Sequence, residues 1–285
     1  MTLPCIISLV IIMTGQEDGR YSRDLVSQAR TGWKRLMHCY NDMCVRGVCN
    51  FKQSLEGLSS TSEFRFLKRG SCRLLFDRRH GTKDVTEEVF GLNPRYSFII
   101  DRSAAGALRV TELVPQRNEQ SPSTNVSQEK YTLAQRALGQ SMCRLGGDHV
   151  EDLLTSPRVV FGPPEWSERL GRRVVKIAFS FPEGDWYETK SGRLVSGGEL
   201  IMNPDENWIP YQHVIKYARK HGSILAGKVV VTVADSAKYN GIEYPTELEC
   251  QCNWKFPPDC AIAALRGKEN NQVFNWSFTP LSCPD

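Results

Sequence analysis

The sequence predicts an α+β protein: an antiparallel, incomplete β-barrel (a half-barrel) curled around an N-terminal helix, with a helical lid inserted part-way along. Three observations predict it. Between Arg172 and Cys252 the runs RVVKIAFSF, GGELIMN, WIPYQHVIKYA, GKVVVTVADS and GIEYPTELECQC are short, β-branched or aromatic, and mostly alternating. The segments PEGDWYETKSG, PDEN and KYNG between them carry turn residues, so the whole reads as an antiparallel meander. Two other stretches, Ser22–Met43 and Tyr131–Leu145, repeat apolar residues at helical spacing. No strand–helix–strand alternation runs along the chain, which argues against a parallel, dinucleotide-binding type of sheet.

The chain of 285 residues, 40% hydrophobic and 24% charged, has the length for one large or two small domains. A net charge of +4 is too small and too diffuse to point to a nucleic-acid partner. No apolar run reaches the ~18 residues of a membrane-spanning helix.

Residues 3–13, LPCIISLVIIM, form an apolar block followed by the polar TGQEDGR. This resembles the core of a secretory signal, with cleavage near residue 15 and export to the periplasm or beyond. A misplaced start codon and a short buried strand are the alternatives. Ten cysteines fit an oxidising compartment; without Cys5 nine remain, so at least one thiol is unpaired.

From Ser22, a plausible N-cap, Val26, Ala29, Trp33, Leu36, Met37, Tyr40 and Met43 build one apolar stripe. Arg23, Arg30, Lys34 and Arg35 occupy the other face, so another part of the chain must cover Trp33 and Tyr40. MCVRGVCNFKQSL, EFRFLKRGSCRLLFDR, RYSFIIDRS and ALRVTELVP then supply three or four hairpin-linked strands between residues 43 and 115. Residues 116–128 are polar and read as a loop. Ala134, Leu138, Met142 and Leu145 make the lid helix, stopped at Gly146-Gly147, and Asp148 caps a short helix to Leu154. The helical insertion covers about residues 129–155 of a domain spanning 16–252. Residues 253–285 are turn-rich and form a cysteine-bearing C-terminal appendage.

In element order, residues 22–250 resemble the periplasmic lipoprotein-carrier superfamily of LolA, LolB and LppX type. The resemblance rests on the N-terminal helix running into VRGVCNFKQSL, the ELIMNPDENWIP hairpin and the late GKVVVTVADSAKYNGIEYPTELE pair. It implies a half-barrel that holds lipid or lipoprotein acyl chains, with an envelope protein as a further partner. Residues expected to line the cavity are Trp33, Leu36 and Tyr40 from the helix, and Phe64, Phe66, Ile177, Phe179, Val231 and Val233 from the strands. A one-residue error in strand phase would exchange the faces.

Catalytic and metal chemistry find little support. Cys39, Cys44 and Cys49, and Cys250-x-Cys252 before Cys260, lack the close C-x-x-C pairs of a zinc knuckle and fit disulfides or buried thiols instead. Side chains at His38 and Cys39 point about 100° apart on a helix and cannot form a nucleophile–base pair. Asp101, Glu112, Glu183 and Asp185 could pair for glycoside chemistry but read as solvent-facing carboxylates. Non-enzymatic binding of an apolar ligand in the cell envelope, without metal or cofactor, is therefore the expectation. A filled structural module and a cysteine or carboxylate hydrolase are the competing classes.

Overall fold

The computed structural model describes residues 20–34, 42–69, 72–80, 85–102, 106–115, 144–145, 148–169, 171–189, 192–218, 226–239, 241–260 and 263–281. The signal-like block, Leu36, Tyr40, the polar loop, most of the expected lid helix, Cys39, Cys143 and Cys283 lie outside them.

Helix α1 covers residues 20–34. Six strands follow: β1 Asp42–Gln53, β2 Ser59–Arg69, β3 Cys72–His80, β4 Val85–Leu92, β5 Tyr96–Arg102 and β6 Leu108–Pro115. A two-residue pair, β7 Arg144–Leu145 and β8 Asp148–His149, precedes the one-turn helix α2, Val150–Leu154. The remainder is strand: β9 Val160–Arg169, β10 Arg172–Ser180, β11 Tyr187–Glu188, β12 Leu194–Asn203, β13 Ile209–Ala218, β14 Ala226–Tyr239, β15 Ile242–Lys255 and β16 Glu269–Leu281.

The α+β half-barrel with a helical lid is thereby overturned. The chain is a mostly antiparallel, open sheet with little helix; its ladder runs β6-β5-β4-β3-β2-β1-β16-β15-β14-β13-β12-β10-β9, with β11 beside β12. Within the stretch expected as lid, Arg144–Leu145 pairs antiparallel with Asp148–His149 and α2 spans five residues. Where a long helix was read to Met43, β1 already begins at Asp42.

Two compact units divide the chain. The first takes Met1–Leu36, Met142–Thr232 and Asn253–Glu269. Here Ser22, Leu25, Val26, Ala29 and Trp33 give α1 one buried face, at the three- and four-residue steps an amphipathic helix requires. Ser22 lies inside the helix, and its hydroxyl donates to the Gly162 carbonyl at 2.6 Å instead of capping. Trp33 donates its indole N–H to the Trp208 carbonyl at 2.7 Å. Gly32 lies so close to the Asn207 backbone that a Cβ would strike its carbonyl. Val175, Ile177 and Phe179 of β10, with Leu200, Met202, Tyr211 and Ile215, are buried in the same unit, and Val174 is buried on the other face of β10. Pro163 and Pro164 sit on β9, the last strand of the ladder, where a missing N–H is tolerated.

The second unit takes Met37–Ser141, Val233–Cys252 and Asn270–Asp285. Register fixes its two faces. One apolar row runs Val45, Phe66, Leu75, Phe90 and Ile99 across β1 to β5, and all five are buried. The opposite face carries Glu63, Arg78, Glu87 and Arg102 on successive strands. Glu87 accepts from Arg78 at 3.3 Å and from Arg102 at 2.8 Å. Alternate residues thus divide a face that is dry along this row from one bridged through Glu87.

Candidate functional site

The dry face of the second unit is not uniformly filled. On β16 the alternation Phe274-Asn275-Trp276-Ser277-Phe278 puts three rings on one side. Trp276 stacks within 16° of Phe274 and within 15° of Phe278, at centroid distances of 6.5 and 6.2 Å. The ring of Phe51 on β1 lies 4.7 Å from that of Phe274. Phe64 of β2 meets Trp276 edge-on at 5.9 Å and Phe278 at 6.2 Å. Such tilted and edge-on contacts suit ring quadrupoles.

Between these rings and β3 the two middle strands carry small residues. Pairing aligns Trp276 with Cys49, Cys49 with Ser62, and Ser62 with Arg79. The next row aligns Phe278, Gly47, Phe64 and Asp77. Cys49, Ser60 and Ser62 therefore leave a trough between an aromatic bank and a charged one, while Phe64 covers Gly47. The result is a cavity of about 250 Å³ lined by Cys49, Phe51, Phe64, Leu75, Phe274 and Trp276, with Ser60, Ser62, Asp77 and Arg79 at its polar side. It exceeds the 150 Å³ space that holds a benzene ring and approaches the lower end of ligand-pocket sizes.

Gly47 is required by close approach. A Cβ there would run into the tip of the Phe64 ring and come within 2.7 Å of the Ser277 carbonyl oxygen. Polar groups at the rim are mutually bound: Ser62 Oγ donates to Asp77 Oδ1, and Arg79 Nη2 donates to Asp77 Oδ2 at 3.2 Å. Burial pushes the Cys49 thiol up from 9.0 to about 12; the Asp77 carboxylate adds to the rise and the Arg79 guanidinium opposes it. A thiol held protonated is a poor nucleophile and a poor metal ligand. Among the described residues no group of three or more His, Cys, Asp or Glu is placed to hold a metal ion.

The residues expected to line one cavity fall in both units. Trp33, Ile177, Phe179 and Val231 are buried in the first, where Trp33 spends its N–H on backbone. Phe64, Phe66 and Val233 are buried in the second. Of the described ones, Phe64 lines the groove, and Phe66 lies one row further along. Leu36 and Tyr40 are outside the described residues. The aromatic bank falls within residues 253–285, expected to be turn-rich, and the FNWSF alternation is the signal that marks a strand there.

The fold and site define a mostly β chain with an open antiparallel sheet and an aromatic groove on one face. No family model matches it, and no curated protein does. Among solved structures it is similar to a DUF1329 family protein from Desulfovibrio piger, at 9% identity over 94% of this chain and 95% of that one, with a TM-score of 0.39. It is also aligned with Pseudomonas aeruginosa OccK5 (OpdH), at 7% identity over 85% and 99% of the two chains, with a TM-score of 0.18. Scores this low carry no argument about function. No described helix is long and apolar enough to cross a membrane, which says nothing of strands.

Proposed function

We propose that this chain is a non-enzymatic binder of an apolar ligand, carried in the cell envelope and seated in the groove between β16 and β3. The single observation that supports it is the trough itself: half-buried Phe51, Phe274 and Trp276 face small residues across about 250 Å³. Large rings left unfilled on one side lose dispersion contacts that a ligand would restore. The thiol at the groove floor, raised to about 12, speaks against a cysteine hydrolase at this place. The apolar block at residues 3–13 supports export.

Fluorescence titration with N-phenyl-1-naphthylamine tests the reading. Saturable one-to-one binding is expected, weakened about tenfold or more in Trp276→Ala, since loss of an aromatic wall removes roughly 1.5 kcal/mol or more of contact. No saturable binding by the wild-type chain, or equal binding by the variant, would overturn it.

A further inference from the structure

The groove has unspent hydrogen-bonding capacity, and it is concentrated on one side chain. Asp77, its side chain 12% exposed, has both oxygens engaged, Oδ1 by Ser62 and Oδ2 by Arg79. Arg79 has five N–H donors to offer and commits only its Nη2 to that contact, with a side chain 42% exposed. The rim therefore presents spare guanidinium donors beside a carboxylate that is already satisfied, the Asp77–Arg79 pair being neutral as a whole. Glu88 and Asp101 continue the Asp77 row onto β4 and β5 but do not line the groove.

Register sets the distance between the two kinds of surface. Arg79, Ser62, Cys49 and Trp276 occupy one row across β3, β2, β1 and β16. Three strand spacings separate the guanidinium bank from the indole bank, about 14 Å at the usual interval. A volume near 250 Å³ is on the scale of one alkyl chain laid beside the rings.

Resting on the groove reading above, we propose that the ligand is a single-chain anionic amphiphile with a carboxylate head. Its head is received by the Arg79 guanidinium and its chain lies across the Cys49–Ser62 floor against Phe51, Phe274 and Trp276. Arg recognises a carboxylate through paired N–H donors, and the bank of Phe51, Phe274 and Trp276 carries no charged group for a second head.

The test uses the full chain and N-phenyl-1-naphthylamine displaced by three twelve-carbon probes at pH 8: dodecanoate, dodecanol and dodecyltrimethylammonium. Dodecanoate is expected to displace the dye at about tenfold lower concentration than dodecanol, the scale of one charge-assisted contact, with the cation weakest. Arg79→Gln should reduce that preference to within about twofold while the dye still binds, and Arg79→Lys should restore part of it. Equal displacement by acid and alcohol in the wild type, a preference surviving Arg79→Gln, or tightest binding of the cation would overturn the proposal. If the wild-type chain fails to bind the dye at all, the groove reading fails with it. If the dye binds without head-group preference, the anionic class alone is refuted.

Discussion

Replacing Gly47 by alanine is the most informative single perturbation, because it separates the groove from ordinary strand chemistry. In a strand interior, glycine costs roughly 0.5–1 kcal/mol relative to alanine, so the substitution should stabilise by that amount if space allows. Space does not allow it. The new Cβ would meet the tip of the Phe64 ring and approach the Ser277 carbonyl oxygen at 2.7 Å. The ring can swing, but Ser277 belongs to the backbone of β16, paired to β1 at Val48. Shifting that ladder is an overpacking cost of about 1–3 kcal/mol, so the net expectation is destabilisation of about 1 kcal/mol, and at most about 2.5 kcal/mol. A ring pushed aside also disturbs its contact with Trp276, 5.9 Å away, and so the groove that both rings line. Urea denaturation should show a lower midpoint with unchanged slope, and N-phenyl-1-naphthylamine should bind about fivefold or more weakly, the equivalent of 1 kcal/mol. A Gly47→Ala chain that is more stable and binds the dye unchanged would refute this placement of Phe64 over Gly47.

Other substitutions separate buried contacts from exposed ones. Phe66→Ala should cost about 3–5 kcal/mol by urea denaturation, since Phe66 is 1% exposed in the apolar row; a loss under 1 kcal/mol would contradict its burial. Glu87→Gln, on the exposed face, should change stability by no more than about 1 kcal/mol despite the loss of two ion pairs. Trp33→Phe should cost about 1–3 kcal/mol through the orphaned Trp208 carbonyl and the smaller ring. For Cys49, raised from 9.0 to about 12, the native state favours the protonated thiol. Its contribution to stability is complete below pH 9 and is lost as pH rises toward 12. Cys49→Ser should therefore flatten part of the alkaline fall in stability over that window. Iodoacetamide at pH 8 should label exposed Cys72 well before Cys49, and equal labelling would contradict the assigned burial.

The late meander was legible because its strands alternate cleanly and are separated by turn residues; β10, β12, β13, β14 and β15 all fall on the runs that suggested them. The first meander was undercounted. VTEEVFGL carries Thr86, Glu87 and Glu88 in succession, which hides a strand whose acid at Glu87 is held by neighbouring arginines. Pro163-Pro164 concealed β9, since proline argues against a strand unless the strand is at an edge, and edge position is a property of the finished sheet. The C-terminal segment was read for its prolines and cysteines, so the ring alternation of β16 was passed over. The groove could not be read from sequence. It arises from the register that sets Gly47 and Cys49 of β1 beside Phe278 and Trp276 of β16, more than 200 positions away. Individual hydrophobic residues announce burial; which small residues face which rings is decided by pairing.

The binding claim is most directly tested by native mass spectrometry of the full chain incubated with dodecanoate, alongside Trp276→Ala. A single adduct per chain, retained by the wild type and depleted in the variant, is the predicted result. An unliganded wild-type chain, or several adducts that persist equally in both proteins, would contradict a built site between β16 and β3.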